Sequence, residues 1–490
     1  MSEQEPRWRS RSYDVVVVGS GPNGLSAAVA LAQTGLATLV VEAADTPGGG
    51  ARTEELTIPG FKHDVCSTVH PLGAGSPFFR SLQLGRYGLS WIHPPAPLAH
   101  VLREGEVVLL ERSIVETARD LGQDGDAYRR LLEPFAERFD ELAPMVLAGL
   151  RVPRSPFLMA RFGVAALHSM EGLARRRFRE EAAGALLGGI AAHAVLPLDA
   201  AATASFALVL ASAGHAVGWP IARGGSAAVV AALVACFQEA GGELVTGLRV
   251  SSLTDLPPAR AYVLDVTPRQ LLAIAGDRLT PAYRRSLKRF RYGPGVFKMD
   301  WALREPVPWR DPACRRSATV HLSGNLGHIA LAEAMTHRGE VHEEPFVLLV
   351  QPSLFDHSRA PPSRHTAWAY CHVPHGSAVD LTLSLESLIE RFAPGFRDCI
   401  LGRRVTTARE LERHNPNNVG GDIAGGMSDL RQLFFRPVTK LDPYRTSARD
   451  VFLCSSSTPP GGGVHGMCGY WAAQSVLRSA FGRSSRASVA

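Results

Sequence analysis

The chain has 490 residues, 46% of them hydrophobic, enough for two domains with sizeable cores rather than one. Its 52 Lys and Arg against 46 Asp and Glu leave a formal charge of +6, yet the basic residues are scattered, with only short runs such as Arg175-Arg176-Arg177. That distribution does not imply nucleic acid as a partner and reads as a solvated face, with an anionic lipid surface or an acidic partner as the alternative.

Residues 1–12 carry charges of both signs and no apolar segment, so they read as a loose leader rather than a secretory signal, with organellar import left open by their arginines. No run of 18 uninterrupted apolar residues occurs, and the Ala-rich stretch 182–213 is broken by His193, Pro197 and Asp199. A soluble, cytoplasmic protein with at most a peripheral membrane contact is expected.

The functional pattern begins at Tyr13. Tyr13-Asp14-Val15-Val16-Val17-Val18 is a β-branched apolar run fit for a buried parallel strand, and it feeds directly into Gly19-Ser20-Gly21-Pro22-Asn23-Gly24. Gly19 allows the tight turn, Gly21 lets the backbone approach a pyrophosphate, and Gly24 permits close packing of helix on strand. A helix over about 23–33, stopped by Gly35, aims its first amides at the phosphates. The next strand, Ala37-Thr38-Leu39-Val40-Val41, ends in Glu42, eighteen residues after Gly24, where a carboxylate can take both ribose hydroxyls. An acid there favours FAD or NAD over NADP.

Glu42 is followed by Ala43-Ala44-Asp45-Thr46-Pro47-Gly48-Gly49-Gly50-Ala51-Arg52-Thr53, a glycine turn with a cation and a hydroxyl that an NAD dehydrogenase does not require. On these residues the chain resembles the FAD-dependent amine oxidase and phytoene desaturase superfamily, in which a double glycine after the ribose-binding acid continues the wrap around pyrophosphate and flavin. Gly48-Gly49 match it, and Thr53, Gly60, Phe61 and Asp64 fall where its trailing pattern has similar residues. The superfamily's Arg after the double glycine is Gly50 here, which leaves Arg52 as the candidate for that contact.

The resemblance returns at Pro220-Ile221-Ala222-Arg223-Gly224-Gly225-Ser226, a helix through Phe237, Gly241-Gly242-Glu243-Leu244-Val245-Thr246-Gly247 and Val250, whose backbone it implies beside the adenine. Ala261-Tyr262-Val263-Leu264-Asp265-Val266-Thr267-Pro268 resembles the strand that follows. The last block runs from Val451 through Gly461-Gly462-Gly463-Val464-His465-Gly466 into a helix from about Met467; the resemblance puts this loop and helix end beside the flavin ring, where amides stabilise the charge that reduction creates. With His414-Asn415-Pro416-Asn417-Asn418-Val419-Gly420-Gly421-Asp422, these blocks resemble the phytoene desaturase-related proteins of the pyridine nucleotide-disulfide oxidoreductase domain-containing protein 2 type.

The seven cysteines, Cys66, Cys236, Cys314, Cys371, Cys399, Cys454 and Cys468, form no CxxC pair. That fits a reducing compartment and argues against a dithiol reductase despite the family's name.

These readings give an α/β chain: a Rossmann-like FAD domain of parallel strands over 10–75, 216–275 and 416–490, interleaved with an α+β substrate domain, mixed sheet and helical cap, over 76–215 and 276–415. Expected cap elements are a strand at Glu106-Val107-Val108-Leu109-Leu110, helices over 127–150 and 175–192, and strands over 296–303, 346–350 and 366–371. The apolar stretch 157–170 is core or lid on the plain reading and a greasy membrane entrance on the functional one.

Non-covalent FAD is expected on Gly19, Gly21, Pro22, Asn23, Gly24, Glu42, Ala43, Gly49, Arg52, Thr53, Val250, Gly462, Gly463, Val464 and His465, with no metal. The activity implied is hydride transfer from a C–H bond of a hydrophobic substrate to flavin, as in a desaturase, with reoxidation by oxygen or a quinone. A C–N oxidase, a redox-silent flavin-binding regulator and a flavin-using isomerase are the alternatives. His70 and His465 are the catalytic candidates, each weighed against a satisfied structural histidine, with His193 and His215 behind them. Cys468 reads as a buried inert thiol and Asp422 as a turn residue.

Overall fold

The computed structural model describes residues 7–322 and 324–483; the first six residues of the leader lie outside the described residues. Tyr13–Val18 is buried at five of six positions and forms the middle of a five-stranded sheet. It pairs in parallel with Thr38–Val41 on one side and Ala259–Leu264 on the other, and Glu243–Val245 and Val451–Leu453 extend the two flanks, also in parallel. A sheet covered on both faces needs strands apolar on both faces, which the valine run supplies. All five strands end on one edge, where a doubly wound sheet binds its ligand.

The helix Pro22–Ala32 leaves the first strand and packs against the C-terminal helix Met467–Phe481. The packing depends on Gly469, whose Cβ, if present, would stand 1.8 Å from the Asn23 carbonyl oxygen. Gly469→Ala is expected to push the helices apart at a cost of about 1–3 kcal/mol, seen as a thermal midpoint lowered by a few degrees. An unchanged midpoint would contradict this contact.

The second sheet has seven strands in the order Ile400–Thr406, Gly295–Leu303, His365–Val373, Val347–Val350, Thr319–Leu322, Leu98–Val101, Val107–Leu110. Neighbours are antiparallel except Thr319–Leu322 with Leu98–Val101, so the sheet is mixed, as expected. Three of its strands, Leu98–Val101, Thr319–Leu322 and Ile400–Thr406, have no counterpart among the expected ones. The first two are only four residues long with a histidine inside each, and the third is an edge strand carrying Arg403 and Arg404, so none shows a clean apolar run.

Two expected helices are each divided. The 127–150 segment forms Gly125–Ala136 and Phe139–Val146, and the 175–192 segment splits into Met170–Arg177 and Glu181–Ala191. The second break has a visible cause: the buried Asp124 carboxylate accepts the amides of Arg179 and Glu180, each at 2.8 Å, which starts a new helix there.

Pro156–Ala166 is a helix whose Leu158, Phe162, Ala165 and Ala166 are buried, while Phe157 and Val164 stand 90% and 72% exposed. Among the described residues no helix is long and apolar enough to cross a membrane.

Candidate active site

One cavity of about 830 Å³ opens at the carboxyl ends of the parallel strands and continues beneath the mixed sheet and cap helices. Gly19 begins the loop with φ +97°, and a Cβ on Gly24 would lie 2.1 Å from the Gly19 carbonyl oxygen. Gly49, at φ +55°, meets Gly21 backbone to backbone, with 3.1 Å from its would-be Cβ to Gly21 Cα. The two glycine turns thus form a groove that only bare backbone can line.

Glu42 closes that groove. Its Oε2 accepts from the Ser20 amide at 2.9 Å and hydroxyl at 2.6 Å, and its Oε1 from the Ala44 amide at 2.9 Å and Arg52 Nη2 at 3.3 Å. The Arg52 guanidinium also donates to the Thr46 carbonyl, so it braces both the acid and the turn after it.

Gly19, Gly21, Pro22, Asn23, Glu42, Ala43, Gly49, Arg52 and Val250 border the cavity, as do Gly462, Gly463, Val464 and His465 from the far end of the chain. Gly24 and Thr53 do not. Gly24 acts beneath the loop, and the Thr53 hydroxyl is spent on Asp64 at 2.7 Å while accepting from the Ala227 amide at 3.1 Å. Thr53 therefore holds two chain segments together instead of facing a cofactor.

His465 is buried; its Nδ1 accepts from the Met467 amide at 3.0 Å and its Nε2 has no partner, as is also true of Asn23 Oδ1. Two unpaired polar atoms on the wall of one cavity are what a polar ligand would satisfy. Burial lowers the His465 pKa to about 4, so the ring is neutral. His70 also borders the cavity, but its Nε2 lies 2.9 Å from the Ser226 hydroxyl, which donates in turn to the Ser67 carbonyl. It acts as a latch between two chain segments. Cys468 is buried, donates to the Thr458 and Gly461 carbonyls and is pushed up to about 12 by burial; Asp422 accepts from the Gly293 and Ala424 amides in its turn. His215 is tied to the Tyr128 hydroxyl at 2.8 Å.

The remaining wall is apolar. The helices Phe139–Val146, Pro156–Ala166 and Thr203–Ala216 contribute Met145, Met159, Phe162, Phe206 and Val209. From the mixed sheet, Trp368 and Tyr370 share one strand face and stack with centroids 5.9 Å apart and planes 14° apart. Trp368 Nε1 donates to Thr68 at 2.8 Å, and Lys298 Nζ sits 5.1 Å from its ring, paired with Asp300 at 2.5 Å. His193 faces the cavity beside Trp219 and lies 3.3 Å from His321, nitrogen to nitrogen. Burial and the neighbouring His372 lower its pKa to about 4.

Trp368, Tyr370 and Asp265 went unmarked in the sequence as site residues. The first two alternate on a strand, which fixes their shared face, but nothing in the sequence says that face meets a ligand. Asp265 had a usable signal: like Glu42, it ends a buried parallel strand.

Residues 17–83 match the family described as NAD(P)-binding Rossmann-like domain. Over 95% of its length the chain is 27% identical to pyridine nucleotide-disulfide oxidoreductase domain-containing protein 2 of Mus musculus, spanning 93% of that protein. It is 24% identical to a lycopene-forming phytoene desaturase of Paracoccus sp., across 93% of this chain and 95% of the other. A solved structure of putrescine oxidase bound to putrescine shares the fold, with a TM-score of 0.60 at 17% identity, covering 96% of this chain and 100% of that one. These matches bear out the resemblance read from the sequence.

Proposed function

We propose that this chain, an oxidoreductase of the amine oxidase and phytoene desaturase superfamily, holds FAD non-covalently and removes hydride from a C–H bond of an uncharged, hydrophobic substrate. When bound, FAD supplies the two-electron acceptor for that hydride, with oxygen or a quinone as the final acceptor. One observation favours a desaturase-like reaction over an amine oxidase: among the described residues the only carboxylates on the cavity wall are Glu42 and Asp265, both at the glycine groove. No acid stands among the apolar cap residues to pair with an ammonium group.

The chain's own residues would then do three things. Glu42 and the two glycine turns would fix the dinucleotide, the 462–465 loop, which lines the same cavity, would offer its backbone to the cofactor, and Trp368 with Tyr370 would offer flat apolar walls that orient the substrate and exclude water. The neutral His193 gives that chamber an acceptor for a proton left behind by hydride loss. The rim fits delivery from an anionic lipid surface. Phe157 and Val164 project from a helix that also lines the cavity, and residues 150–178 carry six Arg against one Glu.

The test is anaerobic reduction. Purified holoprotein is mixed with panels of isoprenoid-like, acyl and amine compounds, offered in detergent and in anionic vesicles, and the oxidised flavin band is followed. Bleaching by an uncharged apolar compound is expected. Bleaching by amines alone would overturn the desaturase reading, and a purified protein that neither contains nor takes up FAD would overturn the whole assignment.

A further inference from the structure

The carboxyl of Asp265 stands at the phosphate groove without a counter-cation. Asp265 directly follows the strand Ala259–Leu264, whose Leu264 pairs with Val18, the residue before the glycine loop. A Cβ built on Gly19 would be 3.2 Å from Asp265 Cβ, one on Gly21 2.8 Å from its Oδ2, and one on Gly24 3.1 Å from that same oxygen. All three glycines of the motif therefore close around this one side chain, which also faces the cavity.

Its surroundings are poor in positive charge. Oδ2 accepts from the Gly24 amide at 2.9 Å, and Asn417 reaches only the main-chain carbonyl. Across the loop is another carboxyl, Glu42, and the nearby cation Arg52 is already committed to Glu42 and Thr46. From the strand end after Val451–Leu453 and from the C-terminal helix come Cys454 and Cys468, thiols kept protonated by burial. Among the described residues no Lys or Arg side chain bonds to Asp265. An ionised carboxylate here would repel the two negative charges of a pyrophosphate.

We propose that Asp265 is a cofactor-binding residue that works as a carboxylic acid, donating its proton to a phosphate oxygen of the bound dinucleotide, so that FAD binding takes up one proton from solution. The inference rests on the FAD reading above. It turns a like-charge clash into a short O–H to phosphate hydrogen bond. Burial, opposed by the Gly24 amide and reinforced by Glu42, raises this carboxyl to about 7 in the ligand-free protein, so the coupling falls within an accessible pH range. Below that value the acid is already protonated and affinity is flat; above it each bound FAD must draw a proton, and affinity falls.

Holoprotein diluted until flavin begins to dissociate, with released-flavin fluorescence read from pH 6 to pH 9, tests this. The expected result is an FAD dissociation constant that is level at the acid end and rises about tenfold per pH unit at the alkaline end. Asp265→Asn, which keeps a hydrogen-bond donor and cannot ionise, should bind FAD with little pH dependence. Calorimetry of FAD binding to wild-type protein at pH 8 in two buffers of different ionisation enthalpy should report uptake of close to one proton, and this arm needs no variant. A level wild-type affinity across the range with no proton uptake, or the same slope in Asp265→Asn, overturns the role of Asp265 while leaving the FAD reading intact. Absence of FAD binding at every pH overturns both.

Discussion

Glu42→Lys is expected to leave a folded chain almost free of flavin. The native carboxylate is held in place by four donors, from Ser20, Ala44 and Arg52, before any ligand arrives, and ribose hydroxyls would bind it by exchanging with the long Arg52 contact at 3.3 Å and the rotatable Ser20 hydroxyl. Each hydrogen bond to a charged acceptor contributes about 1.5–3 kcal/mol, and two lost together weaken binding by about 100-fold to well beyond 1,000-fold. Lysine adds a penalty of its own, since its ammonium meets Arg52 in a 7% exposed site. The measurement is the flavin-to-protein absorbance ratio after purification, with a circular dichroism spectrum as the folding check. Glu42→Gln should lie between the two, because it keeps one oxygen acceptor without the charge. Stoichiometric flavin in Glu42→Lys would sink the assignment of this residue.

How far the sequence reaches differs between the two halves of the molecule. The parallel sheet is legible because its first strands are buried apolar runs that each lead into a residue with a chemical role, Gly19 after Val18 and Glu42 after Val41. Local pattern and global fold agree there, so few alternatives survive. The mixed sheet is harder because its strands are stabilised by partners far away in sequence. His100 and His321 sit fully buried in four-residue strands too short to show a clean apolar run, and Leu98–Val101 pairs in parallel with Thr319–Leu322 more than two hundred residues later. No local stretch of sequence contains that contact. Thr53 shows the same limit at one side chain: its place after the double glycine points toward a cofactor, whereas its hydroxyl is taken by Asp64 across a two-stranded hairpin.

The division between legible and hidden residues also bears on what each part does. The glycine groove is built from backbone and one acid, Glu42, for which a sequence motif exists. The chamber is built from side chains that meet only after both sheets have formed, and a stacked Trp368 and Tyr370 leave no spacing signature beyond that of any strand. A dinucleotide site follows from the first, and what is oxidised there only from the second.

Arg359→Met should be among the most destabilising single changes in the chain, because Arg359 joins the two halves. Its guanidinium is fully buried and donates to Asp64 at 2.8 Å and Asp356 at 3.0 Å. Asp64 in turn accepts from Thr53 and from the Ser226 amide, and Asp356 accepts from the Gly224 amide at 2.7 Å. One cation from the 276–415 stretch thereby fixes the hairpin after the double glycine and the turn before the helix Ala227–Glu239. Methionine fills much of the volume but strands two buried carboxylates, a loss of about 3–5 kcal/mol. Burial opposes ionisation of Asp64, yet Arg359 and the hydrogen bonds from Thr53 and Ser226 outweigh it and hold the carboxyl below its usual range. A depressed carboxyl contributes stability above its unfolded pKa and loses it as pH falls. The gap in denaturant midpoint between wild type and Arg359→Met should therefore be widest near neutral pH and narrow toward about pH 4, where the stranded acids can protonate. Adding Asp64→Asn to Arg359→Met should recover part of the loss at neutral pH. Equal midpoints at pH 7, or a gap that ignores pH, would mean that Arg359 and its two carboxylates do not hold the glycine groove against the cap.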